Sequence, residues 1–245
     1  MNETGLKTDI SARYQPFMNK IIEHSRDLIH SIHIVGSALT EDYDPGHSDI
    51  NSVVVLENMD LKFIKFLAPL GKQYGKQRIA APLLMTPAYI DSSLDVFPIE
   101  FFNIQKLHYT IFGEDVFGDL EIIQSDMRRQ CEQELKIKLM GLRQGFIAAA
   151  GDKRLLNRGF AESFSGYMPL FKSIILLLGQ EPPNNNNAIL SVLEEVSGVS
   201  TDVFKKILGQ KQTKAHSSIE QLSIVFEEYY AALEKLGKII DEIDS

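Results

Sequence analysis

HIVGSALTEDYDPGHSDINSVVVL, residues His33 to Leu56, is the stretch on which the fold of this chain turns. It opens on a β-branched run, halts at Gly36-Ser37, crosses the polar loop 38–48 and enters a second β-branched run at Ile50. Short runs of this kind bounded by turn residues read as strands. A glycine directly after a strand lets the backbone approach a phosphate closely, and the hydroxyl of Ser37 can donate to a phosphate oxygen. Positions i and i+2 of a strand share a face, so Asp49 and Asn51 offer two oxygen donors side by side. That pair suits a hard cation such as Mg²⁺, which takes one or two carboxylates and leaves its other positions to water and substrate phosphates. A third oxygen is expected from a neighbouring strand. The candidate is Glu100 in DVFPIEFF, an acid among apolar residues that would be costly to bury alone. Asp95, five residues earlier in a regular strand, would point to the opposite face.

Outward from this stretch the chain changes character once. Apolar residues at helical spacing predict a helix over 9–30, with Phe17, Ile21 and Leu28 on one face and Pro16 limiting its regularity. Strands are expected at Ile32–Val35, Ile50–Leu56, Pro82–Met85, Val96–Phe102 and Leu107–Phe112, with a helix at Leu61–Leu70; Pro98 puts the fourth strand at an edge. From Asp119 the pattern becomes helical, with Leu135, Leu139, Leu142 and Phe146 forming a seam. A stretch at Leu155–Leu178, bent at Pro169, ends at Gly179 before the loop QEPPNNNN. Helices at Ile189–Val196, Asp202–Leu208 and Ile219–Ile243 follow. The expected class is α+β, a mixed sheet with flanking helices followed by an all-α bundle, with domains at 1–118 and 119–245.

Composition narrows the function. The 245 residues are 44% hydrophobic and 24% charged, an ordinary globular balance. The longest apolar run near the C-terminal half, SIILLLG at 173–179, is far short of the roughly 18 residues that cross a bilayer. The first residues carry charges and no apolar block, so neither a signal nor a targeting peptide is expected, and a cytoplasmic setting fits the single cysteine, Cys131. A net charge of −8 argues against general nucleic-acid binding.

In its order of strand, Gly-Ser, about a dozen residues, a paired-donor strand and a later acid, the chain resembles the nucleotidyltransferase-fold superfamily, the polymerase-β-like group. The resemblance covers roughly residues 10–115, and a C-terminal helical domain is common among its members. It implies a nucleoside triphosphate, ATP foremost, bound with Mg²⁺ or Mn²⁺, its phosphates touching Gly36 and Ser37. Asp49 and Glu100 would hold metal, with Asn51 as a further ligand and Glu100 nearest to a base. A small-molecule or protein acceptor would attack the α-phosphorus and release pyrophosphate. The departure is Asn51, a neutral amide where the family pattern has a second acid. The alternative is therefore a catalytically impaired nucleotide-binding, regulatory or partner-binding module.

Other residues admit two readings. Gly36-Ser37 is either a phosphate turn or a plain strand end; Asp49 a ligand or a turn cap; Glu100 a ligand or an edge-strand acid. Glu41, Asp42 and Asp44 form an acidic loop that attracts a cationic acceptor or is simply solvated, and Tyr43 and His47 could meet a base or ribose. Arg129, Lys136 and Arg143 recur every seven residues along one helix side, facing phosphates or solvent. A ribonuclease-type Arg-to-His motif is not found around Arg154, Arg158 and His216. The 219–243 helix, with Ile219, Leu222, Phe226, Tyr229 and Tyr230, packs into the core or offers a homodimer surface.

Overall fold

A computed structural model describes residues 6–164, 166–210 and 218–243; His216 lies outside them. Two compact units emerge, residues 1–95 with 100–121, and residues 96–99 with 122–245.

The first unit is built on a four-stranded mixed sheet of order β3-β2-β1-β4: β1 Ile29–Val35, β2 Asn51–Leu56, β3 Leu83–Met85 and β4 His108–Gly113. The central strand β1 is antiparallel to β2 and β4, and β2 is parallel to β3. Ile32, Ile34, Val54 and Leu56 alternate onto one face, where they meet Ile10, Tyr14, Phe17 and Ile21 of α1 (Thr8–Ser25) and Phe63, Leu67 and Tyr74 of α2 (Leu61–Gly75). Each such fully buried side chain contributes on the order of 1.5–3 kcal/mol. The helix expected over 9–30 stops at Ser25 and β1 starts three residues early, because Ile29 and Ser31 pair with Leu56 and Val55. Helix α1 runs on through Pro16. A short helix α3 (Pro87–Asp91), capped by the Thr86 hydroxyl, follows β3.

The strand expected at Val96–Phe102 is instead helix α4, Pro98–Lys106. Proline has no N–H to lose at the first position of a helix and its fixed φ suits that position. Glu100 in the first turn and Lys106 in the last complement the helix dipole. Glu100 therefore stands exposed near a helix start and not on a strand.

The second unit is helical: α5 Gln124–Ala149, α6 Lys153–Phe164, α7 Tyr167–Leu177, α8 Asn186–Ser197, α9 Asp202–Gln210 and α10 Ile219–Asp241. The expected bent helix over 155–178 is two helices; Pro169 falls in the first turn of α7, where it costs no hydrogen bond. Tyr167, Phe171, Phe204 and Tyr229 form a chain of ring contacts 4.9–5.6 Å apart in the core. Leu222, Tyr229, Leu233, Leu236 and Ile240 are buried within the unit, and Phe226 stacks on Phe146 at 4.0 Å. Cys131, on the inner side of α5, is fully buried. Among the described residues no helix is long and apolar enough to cross a membrane.

Candidate functional site

Val35 at the end of β1 pairs with Asn51 at the start of β2, so the sheet itself brings the Gly36-Ser37 turn and the Asp49-Ile50-Asn51 segment to one end. Gly36 takes φ +76° at the start of a 3₁₀ turn, Gly36–Leu39, and a Cβ on it would meet nothing within 4 Å. The turn looks onto open space. Its N–H, however, donates to the Leu107 carbonyl at 2.9 Å, so Gly36 gives room for a ligand and not a donor. The Ser37 carbonyl accepts from both the N–H and the hydroxyl of Thr40, at 3.0 and 2.9 Å. Its own hydroxyl is exposed and makes no hydrogen bond among the described residues.

Asp49 and Asn51 are both exposed on either side of the buried Ile50, as the strand period requires. Ile50 is held on its other side by the turn that follows α2. Its N–H donates to the Arg78 carbonyl at 2.8 Å, and the Ala80 N–H donates to its carbonyl at 3.0 Å. This clamp delivers Arg78, a residue the sequence reading passed over, to Asp49. The guanidinium Nη1 lies 3.6 Å from Asp49 Oδ1 and donates to the His47 carbonyl at 3.1 Å. Arg78 also adopts φ +57° at the end of α2, where its N–H reaches the Gly75 carbonyl and the Ile79 N–H reaches that of Tyr74. This is the helix-ending motif in which glycine is usual, and a side chain there costs about 1–2 kcal/mol.

The donors do not fit the metal that the family pattern implies. Asp49 already faces a guanidinium, Asn51 is neutral, and Glu100 sits in the first turn of helix α4 and not on the strand expected to carry it. Among the described residues no three His, Cys, Asp or Glu side chains come together as a metal centre.

The loop residues are engaged locally. The Tyr43 hydroxyl accepts from Arg13 of α1 at 2.6 Å, which turns the ring back toward the core. His47 is hydrogen-bonded to Asp44 at 2.7 Å; that bond and the Gly46 N–H hold the Asp44 carboxyl below its usual range. The stripe Arg129, Lys136 and Arg143 is paired inside the helical unit: Arg129 with Asp126, Lys136 with Glu132, and Arg143 with the Tyr230 hydroxyl and ring.

A second polar cluster runs down the sheet face that Asn51 shares. His33 is fully buried, bonded through Nε2 to the Ser31 hydroxyl at 2.8 Å and through Nδ1 to that of Thr110 at 2.9 Å. Burial, and after it the neighbouring His108, pushes its pKa down to about 4 against a partial pull from Asp115. His108 Nε2 is 2.9 Å from Asp115. Burial alone would raise the Asp115 carboxyl, but the bonds from His108 and from the Phe117 and Gly118 N–H groups outweigh it and hold the carboxyl low. No sequence motif announced this cluster; it needs the register of β1 against β4.

No family model and no curated protein sequence matches the chain. Among solved structures, a spectinomycin adenyltransferase from Enterococcus faecialis, determined with ATP and spectinomycin, matches over 89% of this chain and 96% of its own, at a TM-score of 0.52 and 13% sequence identity. The chain has the nucleotidyltransferase fold. At that identity the likeness is one of architecture, a mixed sheet with flanking helices and a helical C-terminal region, and it agrees with the fold expected from the Gly36-Ser37 and Asp49-Ile50-Asn51 arrangement.

Proposed function

We propose that this chain is a nucleoside-triphosphate-binding protein of the nucleotidyltransferase fold, with ATP its foremost ligand, bound where β1 turns into Gly36-Ser37. The observation that carries this reading is the joining, by one pair of strands, of an open glycine turn, an unpartnered serine hydroxyl and the Asp49-Asn51 edge. Ser37 supplies a hydroxyl donor to a phosphate oxygen, Gly36 leaves space for it, and Asp49 and Asn51 line the approach. A cytoplasmic setting, where triphosphates abound, goes with it.

Transfer of a nucleoside monophosphate to a small-molecule or protein acceptor is the second reading. The neighbouring structure favours it, being an adenyltransferase solved with a nucleotide and a small molecule. That reading calls for Mg²⁺ or Mn²⁺ at Asp49, Asn51 and Glu100, and the poor fit of these donors is why binding stands ahead of transfer here. Glu100 keeps the base role only on the transfer reading.

The test is thermal unfolding with each nucleoside triphosphate, on the wild type and on Ser37→Ala. A ligand at 100 times its Kd stabilises the fold by about 2.7 kcal/mol. We expect a shift with ATP that Ser37→Ala reduces; no shift with any triphosphate would sink the reading. Pyrophosphate release in the presence of candidate acceptors would move transfer into first place.

A further inference from the structure

We propose that Arg78, and not a divalent cation, is the positive charge of this site: its guanidinium stands beside Asp49 where the fold family would place a metal, and it receives the phosphates of a metal-free triphosphate. The identity of that anion rests on the nucleotide reading above; the charge assignment does not.

Three features of the chain converge on Arg78. The first is placement. The Arg78 carbonyl accepts from the Ile50 N–H at 2.8 Å and the Ala80 N–H donates to the Ile50 carbonyl at 3.0 Å, which together hold this stretch of backbone beside the Asp49-Asn51 edge whatever the Arg78 side chain does. The second is conformation. At φ +57° the chain holds an arginine where glycine would be relaxed, and a strained residue kept at a ligand-facing position is a pointer to function. The third is charge. Asp49 and Arg78 pair, Asn51 adds nothing, and an arriving divalent ion would meet a guanidinium already seated beside the Asp49 carboxylate. Asn51 fits this arrangement, since a second acid is needed to bind a metal and not to accompany a guanidinium.

The geometry also leaves the guanidinium usable. Among the described residues, only the Nη1 donors of its five N–H groups are engaged, toward the His47 carbonyl and Asp49, and 43% of the side chain is exposed. Asp49 and His47 orient the planar fork, and the remaining edge is available for two parallel bonds to phosphate oxygens. Asp44 feels Arg78 as well, through space and not through a direct bond.

The experiment has two arms on the full chain. In the first, Mn²⁺ alone is titrated and followed by electron paramagnetic resonance on the wild type, Arg78→Gly and Arg78→Gly/Asn51→Asp. We expect the double variant to bind Mn²⁺ at least roughly tenfold more tightly than the wild type, because it removes the cation and restores the second acid. Equal Mn²⁺ affinity in all three would overturn the proposal. In the second arm, ATP is titrated by calorimetry in EDTA and in Mg²⁺. Wild-type affinity should agree between the two within about threefold, and Arg78→Gly should weaken binding in EDTA by about tenfold or more, the scale of a lost charge-assisted bond. The thermal midpoint of Arg78→Gly should not fall, since glycine relaxes that backbone, so lost binding cannot be confused with lost folding. Binding that requires Mg²⁺, or that ignores Arg78→Gly in EDTA, would overturn the assignment. Should no triphosphate bind in either medium, the nucleotide reading falls, and the Mn²⁺ contrast decides the charge assignment alone.

Discussion

One sheet carries two sets of polar side chains, and they are treated in opposite ways. At the β1–β2 end, Ser37, Asp49 and Asn51 are exposed, sparsely bonded and neighboured by a strained Arg78. Two residues back along β1, His33 is buried with both ring nitrogens bonded, and the ring of His108, itself bonded to the half-exposed Asp115, lies 5.9 Å from it. Buried polar groups stabilise only when every partner is present, whereas exposed ones can be left for a ligand. The buried set holds the fold and the exposed set is the place to look for binding. Changes in the two should separate into loss of stability and loss of affinity.

The largest contrast lies between two glycines of positive φ. At Gly113, opposite Ser31, a Cβ would sit 2.0 Å from the His30 carbonyl oxygen, so two backbones must part to admit it. Gly113→Ala should lose roughly 4 kcal/mol, or not fold, in urea unfolding. At Gly36 there is open space, and Gly36→Ala should lose only about 1 kcal/mol of backbone strain while crowding the proposed ligand turn. Equal losses would erase the distinction between the two ends.

The second contrast is in acid. A histidine whose pKa falls from 6.5 to about 4 on folding leaves the unfolded chain holding more protons between those values. Stability is therefore complete above pH 6.5 and declines as the pH drops toward 4, by about 3 kcal/mol at most. The Asp115 carboxyl, held low, adds a further loss only below its ordinary value of 3.8. His33→Gln should be less stable at pH 7 and should lack the decline between 6.5 and 4, measured by urea unfolding at stepped pH. A decline of the same size in the variant would assign the effect elsewhere.

The smallest contrast has the opposite sign. Arg78→Gly should gain about 1 kcal/mol by relieving its left-handed backbone. A gain in stability at the exposed end, set against losses at the buried one, would complete the comparison; a loss instead would mean that the Asp49 pair outweighs the strain.

Much of this was legible beforehand. The strands β1 and β2 announce themselves through β-branched runs, and a period of two goes with the exposed Asp49 and Asn51 on either side of the buried Ile50. The misreading of α4 has a local cause: Val96, Phe97, Ile99, Phe101 and Phe102 look like strand residues, and Pro98 reads equally as an edge marker or a helix start. Arg129 and Lys136 could have been resolved, since Asp126 and Glu132 stand three and four residues before them, the spacing at which helical side chains pair. Arg78 could not. Its role depends on a helix end, a left-handed backbone angle and a partner 29 positions away, and none of these leaves a periodic trace in the sequence.

Cys131, enclosed in the core of the helical unit, makes the chain its own clock. A thiol that reagent cannot reach in the folded state reacts only when its surroundings open, so its modification rate under native conditions reads the free energy of opening around α5. As the only sulfhydryl in the sequence, it needs no engineered label and no removal of competing cysteines. Measured with and without nucleotide, that rate would tell whether occupancy of the sheet is felt among the helices.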